Sequence, residues 1–295
     1  DRVRNMSGAP KSLDELRQEI DVIDRQLHTL IQRRGGLAGE IAEIKKQESI
    51  DRVRPGREAV LLRALVERHE GEFPTGAVLR IWREMISSLV LMEMPEYSVA
   101  VYASGEDQAC WDLARDQFGS RTPMTVHPSA RDAISQVIDG AAALAVVPSP
   151  TEDAPGNWWL NLRAPKAPKI LYRLPFFGRG NARGGNSGAP DAFAVGHMMP
   201  EATSDDRTAV VLETGGDLSR SGLTDILYGA ELSPTFLAPT TAGARICYAE
   251  VEGFVGPDDP RLMMLLGREA IKQITIVGTY ATPIGDPALT AGETK

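Results

Sequence analysis

The sequence predicts a multidomain chain: an all-α, three-helix front domain, then an α/β segment, then an α+β segment of ferredoxin-like rhythm. Three observations carry this. Residues 12–94 hold long runs of helical periodicity separated by short turns. After Pro95 the pattern turns βαβ-like, and from Asp205 strand-like and helical runs alternate as βαββαβ. A length of 295 residues suits two or three cores rather than one. The expected domains are 12–94, 97–200 and 205–285.

The first helix is expected over 12–47, with Ser12 as N-cap and Glu15 completing a capping box. Leu13, Leu16, Ile20, Ile23, Leu27 and Leu30 alternate steps of three and four, and Leu37, Ile41 and Ile44 resume that phase, giving a seam for helix packing. Gly35, Gly36 and Gly39 interrupt it at up to about 1 kcal/mol each, and close helix approach is the only reason the sequence offers for them. A second helix is expected from Arg57 to His69, after a turn at Arg54-Pro55-Gly56, and a third from Thr75 to Glu93, stopped by Met94-Pro95. Beyond it, Tyr97–Ala103 reads as a strand, Asp107–Phe118 as a helix and Ala141–Val147 as a short apolar run. Gly178–Pro190 reads as a loop too rich in glycine to pack. The last segment reads as strands at Thr208–Glu213, Ala244–Val251 and Gln273–Gly278, with helices at Leu218–Tyr228 and Pro260–Ala270, and a loose tail after Pro283.

Charge narrows the partners. Residues 1–94 hold 16 Lys+Arg and 16 Asp+Glu, so the net charge of −8 falls on the rest, which has no basic tract. Neither nucleic acid nor an anionic membrane fits that balance. Two cysteines without a CxxC, and histidines without ligand spacing, point to reduced thiols, no metal site and a cytoplasmic protein. No run approaches a membrane span, the polar first residues lack a signal segment, and Met6 is expected as the natural start.

Charges stand where the helical seams call for apolar residues. Arg34 falls on the first helix's stripe, and Lys45 lies eleven residues on, about 16 Å along the axis. Glu58 shares a face with Leu62 and Leu65, and Glu93 continues the series Trp82, Ile86, Leu89. Unpaired buried charge is costly, so these groups either pair with one another or receive a charged ligand. With the further arginines, cations exceed what two carboxylates neutralise, which favours a small dianion. Arg17 is about 25 Å from Arg34 along one helix, too far for one small ligand to touch both. An antiparallel second chain would bring its Arg17 beside Arg34. Three helices cannot cover so long a first helix, so a homodimer is expected.

The runs Leu16–Asp24 (LRQEIDVID) and Leu30–Arg34 (LIQRR), with Lys45, Arg57-Glu58 and the last helix Ile81–Glu93, resemble the all-helical class of chorismate mutases. The resemblance covers 12–94 and implies a cofactor-free rearrangement of chorismate to prephenate. It implies that Arg34 and the second chain's Arg17 bind the two carboxylates, and that Lys45 and Glu93 contact the ether oxygen. Glu58 would take the ring hydroxyl and Arg57 would support the carboxylate end. Arg54 stands where the family often has Asp, and Leu89 where Ser or Cys is common. The reaction needs no nucleophile, base or metal: arginine forks restrict the substrate and preorganised donors stabilise charge on the ether oxygen. A carboxylate has no proton to give, so Glu93 must be protonated to help.

The remainder resembles a degenerate prephenate dehydratase followed by an ACT-like regulatory domain. Leu144–Pro148 with Ser149–Asp153 resembles the strand and substrate loop of a dehydratase, and Ile274–Tyr280 the closing ACT strand. Asp191-Ala192-Phe193 stands in place of the dehydratase Thr-Arg-Phe motif, Ala103–Asp107 in place of its Gly-rich motif, and Ala238-Pro239-Thr240 near the missing effector motif. A non-catalytic segment follows, with Trp158-Trp159 in a core or interface. The expected protein is a chorismate mutase of aromatic amino-acid synthesis, with an aromatic amino acid as effector. Its rivals are a bifunctional mutase–dehydratase and a non-catalytic amino-acid-sensing dimer.

Overall fold

The computed structural model describes residues 11–48, 50–105, 107–151, 157–180, 182, 191–216, 218–239 and 245–285. The expected N-terminal extension, the tail after 285 and most of the Gly-rich loop Gly178–Pro190 lie outside the described residues, as do parts of Ala103–Asp107, Ser149–Asp153 and Ala238-Pro239-Thr240. By internal packing the chain divides into Asp1–Arg52 and Val53–Lys295.

Among the described residues, the first unit holds one helix, α1 (Leu13–Glu48), of 36 residues. Its capping box forms as expected: Glu15 N donates to Ser12 Oγ at 3.3 Å, while Ser12 N donates back to the Glu15 carboxylate at 2.7 Å. No residue of α1 is buried. The apolar seam from Leu13 to Ile44 is 44–62% exposed. Among the described residues, nothing lies within 4 Å of where a Cβ would stand on Gly35, Gly36 or Gly39, so no close packing there calls for them.

The second unit opens with α2 (Pro55–Arg68) and α3 (Thr75–Glu93). Helix α2 starts two residues earlier than expected because Pro55 is compatible with a first helical turn. Its inner face, Ala59, Leu62 and Leu65, packs with Leu79 of α3 and Phe176. The third helix departs from its expected face. Leu79, Arg83 and Ser87 are the buried positions, whereas Trp82, Ile86 and Leu89 are only half-buried. That is one residue, or about 100°, around the helix.

A nine-stranded sheet follows, in the order β2-β1-β3-β5-β4-β9-β6-β8-β7. Strands β1 (Val99–Tyr102), β2 (Met124–His127) and β3 (Leu144–Pro148) pair in parallel, with α4 (Ala109–Phe118) and α5 (Ala130–Ile138) as crossovers. Then β4 (Lys169–Leu174) and β5 (Ala192–Gly196) add antiparallel to complete this half. The sequence pattern alone does not distinguish β2, α5, β4 or β5. Leu144–Val147 of β3 and all of β5 are buried and read as continuous apolar runs, which carry no strand period. Trp158 and Trp159, in a 3-10 turn, pack into the core with Phe193 and Tyr248.

The other half comprises β6 (Asp206–Thr214), α6 (Arg220–Tyr228), β7 (Pro234–Pro239), β8 (Ile246–Glu252), α7 (Pro260–Leu266) and β9 (Ile271–Ala281). Its βαββαβ order with strands arranged β9-β6-β8-β7 is a ferredoxin-like layout, and β7 is a strand that the three strand runs read from the sequence leave out. Ser219 caps α6 and Asp259 caps α7 through their side chains.

The halves meet where Ile170 of β4 lies opposite Gly278 of β9. A Cβ on Gly278 would land on the backbone and Cβ of Ile170. Around this seam, Glu250, 2% exposed, accepts from Arg173 Nη1 at 2.9 Å and from the hydroxyls of Tyr248 and Tyr280. Arg173 also pairs with Asp191. Helix α2 is tied to the same region by Arg63, whose guanidinium donates to the carbonyls of Thr203, Asp205 and Thr282. Gly278→Ala is expected to lower stability by about 1–3 kcal/mol through forced separation of the strands, read from urea denaturation. An unchanged midpoint would mean that the seam is not tightly packed.

Candidate active site

The expected site residues fall in both units. Helix α1 carries Arg17, Arg34 and Lys45. Arg17 is exposed and lies 3.5 Å from Asp14, one turn away. Arg34 is half-buried. Lys45 Nζ donates to the carbonyl of Arg52 at 2.9 Å, which leaves two of its three protons for other acceptors. All three stand on a helix whose apolar seam has no cover within the described chain.

The second unit carries Arg57, Glu58 and Glu93. Arg57 is exposed at the start of α2, and Glu93 closes α3 half-buried. Glu58 turns inward. Its carboxylate accepts from Arg83 Nη1 at 3.1 Å and from the Tyr172 hydroxyl at 3.4 Å. The side chains of Arg83 and Glu58 are 9% and 15% exposed. Burial pulls the Arg83 pKa below its ordinary value, and the charge of Glu58 opposes that pull. Within this unit the structure thus joins Glu58 to Arg83.

Sequence periodicity misses Arg83 and Tyr172. The signal for Arg83 is the series Leu79, Arg83, Ser87 at i, i+4, i+8, hidden because the neighbouring series Trp82, Ile86, Leu89 is more apolar. Tyr172 leaves no signal, since its place beside α2 depends on where β4 sits in the sheet. Arg54, at the position where Asp is frequent in the family resemblance, donates through Nε to Glu201 at 2.8 Å and anchors the entry to α2.

Asp191 and Phe193, expected from the resemblance in place of a dehydratase motif, serve the interior. Asp191 is bound to Arg173, and Phe193 is fully buried under the Arg173 guanidinium, 5.7 Å from the ring centre. Burial pushes both cysteine thiols, Cys110 and Cys247, up to about 12. Neither is a nucleophile near neutral pH. Among the described residues no group of three or more His, Cys, Asp or Glu could hold a metal. No described helix is long and apolar enough to cross a membrane.

These environments have measurable consequences. Arg83→Met should cost about 3–5 kcal/mol, because it strands the Glu58 carboxylate, and denaturant unfolding measures it. Burial, helped by Glu58 for Tyr97 and Tyr172 and by Glu250 for Tyr248 and Tyr280, raises these four phenols well above their ordinary pKa. The folded state therefore favours the neutral phenol. Its stability contribution is intact below about pH 10, where unfolded tyrosine ionises, and is lost as pH rises beyond that. Tyrosinate absorbance from these four should grow together with loss of secondary structure in an alkaline titration. Their full ionisation in a still-folded chain would show that the phenols are accessible.

Residues 16–94 match the family model for chorismate mutase type II. A bifunctional chorismate mutase/prephenate dehydratase of Aquifex aeolicus (strain VF5) is 33% identical over 142 residues, which is 47% of this chain and 39% of the relative. The chain thus spans well under half the length of that relative. Among solved structures, GqqA, described as a novel type of quorum-quenching acylase, aligns with a TM-score of 0.46 at 14% identity over 62% of this chain and 94% of that one. A prephenate dehydratase from Arthrobacter aurescens, in complex with L-Phe, aligns with a TM-score of 0.45 at 13% identity over 66% and 97%. It is over residues 16–94, then, that the chain is similar to the chorismate mutase type II family.

Proposed function

We propose that the chain rearranges chorismate to prephenate, without cofactor, as a cytoplasmic enzyme of aromatic amino-acid synthesis. The observation that carries this reading is the family match over 16–94 in a segment that keeps Arg17, Arg34, Lys45, Arg57, Glu58 and Glu93. Arg34 and a second chain's Arg17 grip the two carboxylates, and Arg57 supports that end. Lys45 donates to the ether oxygen as it gains negative charge, with protonated Glu93 as a second donor. Glu58 accepts from the ring hydroxyl. Holding the substrate in a compact conformation supplies the rest of the acceleration.

Dimerisation belongs to the same proposal. A helix of 36 residues with an apolar seam and no buried residue exposes more contiguous apolar surface than a monomer usually carries. An antiparallel second copy would cover that seam and set one chain's Arg17 near the other's Arg34. The ferredoxin-like half is proposed as an ACT-like regulatory domain for an aromatic amino acid, and domains at 12–94, 97–200 and 205–285 remain our division of function. The named activity of the relative favours a second reading, a bifunctional mutase–dehydratase. Against it stand Asp191, engaged by Arg173, and Phe193, sealed in the core.

Turnover of chorismate by the purified chain tests the proposal, and Arg34→Ala should lower kcat/KM by about two to three orders of magnitude. Arg17→Ala and Arg34→Ala chains, each nearly inactive alone, should regain turnover when mixed, since one heterodimer site keeps both arginines. Failure to recover after confirmed subunit exchange would exclude the shared site. Prephenate supplied as substrate should give no phenylpyruvate above the uncatalysed rate; release of phenylpyruvate would promote the bifunctional reading.

A further inference from the structure

Glu58 is held from two directions within the second unit. Arg83 of α3 donates through Nη1 to Oε2 at 3.1 Å, and the Tyr172 hydroxyl of β4 donates to Oε1 at 3.4 Å. Each carboxylate oxygen thus has its own donor, and the donors stand 25 and 114 residues away in sequence. Both donors are themselves fixed. Arg83 is 7% exposed with its guanidinium over the Phe176 ring, and Tyr172 is 6% exposed with its ring edge-on to Phe118. Neither can swing away from Glu58 without opening the core. A glutamate in the first turn of a helix otherwise has several rotamers open to it. To take a hydroxyl proton it must also be ionised, which a cation at hydrogen-bond distance favours. A carboxylate offers about four lone-pair sites, so these two donors do not exhaust it.

We propose that Arg83 and Tyr172 are positioning residues of the mutase site, holding the Glu58 carboxylate as an anion in one orientation for the ring hydroxyl of chorismate. This role holds only if Glu58 accepts that hydroxyl, as the mutase reading requires. Neither residue is among those that the family resemblance assigns, and Tyr172 lies outside the segment it covers. The titratable groups that face Glu58 are Arg83 from α3, Tyr172 from β4 and Tyr97 just before β1. Both phenols stay neutral at and below neutral pH, so Arg83 is the charge that acts on Glu58 there.

The test is chorismate turnover by the full chain from about pH 4 to 8, a range that brackets carboxylate titration. Tyr172→Phe removes one donor and keeps the ring. Arg83→Gln removes the charge and keeps a donor, and Arg83→Lys keeps the charge and loses the fork. Tyr172→Phe should raise KM about threefold or more with kcat within about twofold, because the hydroxyl contact is made in ground and transition states alike. In the Glu58→Gln background the same change should have no further effect on KM, since it acts through Glu58. Glu58 accepts only when ionised, so kcat/KM is lost as pH falls through its pKa. Removing the cation raises that pKa, and Arg83→Gln should move the acid limb to higher pH while Arg83→Lys returns it towards the wild-type position. A merely structural pair would lower stability and leave the limb in place. Circular dichroism and thermal unfolding give the folded fraction of each variant at each pH. An unmoved limb in folded Arg83→Gln overturns the proposal. Should that variant not fold, Tyr172→Phe decides: an unchanged KM, or an equal rise in the Glu58→Gln background, overturns it. A wild-type chain without turnover overturns the mutase reading itself and is seen before any variant is made, whereas an active wild type with unaltered variants overturns the positioning role alone.

Discussion

The seam between β4 and β9 organises the second unit. Two half-sheets of different topology, one largely parallel and one antiparallel, share a single hydrogen-bonded surface there. Two strands approach this closely only where one lacks a side chain, and Gly278 supplies that absence opposite Ile170. The approach brings polar groups of both halves into the interior, and these are satisfied by one knot. Glu250 of β8 receives Arg173 of β4 and Tyr280 of β9, while Arg173 reaches on to Asp191. A carboxylate at 2% exposure is tolerated because its donors come from three strands at once.

The same region holds α2. Arg63 donates to carbonyls before β6 and after β9, and the apolar face of α2 and α3 closes over Phe176 just beyond β4. These two helices therefore carry two obligations. They belong by sequence to the mutase segment, and by packing to the sheet. Arg83 expresses the second obligation: it is buried with Glu58 and lies 5.4 Å from the Phe176 ring centre. Glu58 is consequently a carboxylate held by the sheet side of its helix. Glu58 meets the sheet directly through the Tyr172 hydroxyl and meets Phe176 by way of Arg83.

The Asp191–Phe193 segment commits its polar and apolar groups to the core: Asp191 pairs with Arg173, and Phe193 is fully buried.

Features governed by local energetics were legible in the chain alone. Ser12 and Glu15 marked the start of α1, Met94-Pro95 marked the end of α3, and the three-four seam from Leu13 to Ile44 set α1's apolar face. The βαββαβ rhythm after Asp205 was legible because those strands alternate with capped helices. The likeness of the front segment to the mutase family was legible in its motifs, Leu16–Asp24, Leu30–Arg34 and Arg57-Glu58, and not in the charge pattern alone. Features that depend on distant neighbours emerged only with the fold. Strands β4 and β5 are largely or wholly buried, so their sequences lack clean alternation and took their identity from the sheet that encloses them. Which stripe of α3 is buried was a choice between two adjacent series, settled by the surface formed by Phe176 and Tyr172. The partner of Glu58 followed from that choice: a helix fixes where a charge points relative to its own axis, and packing against the sheet fixes what it meets.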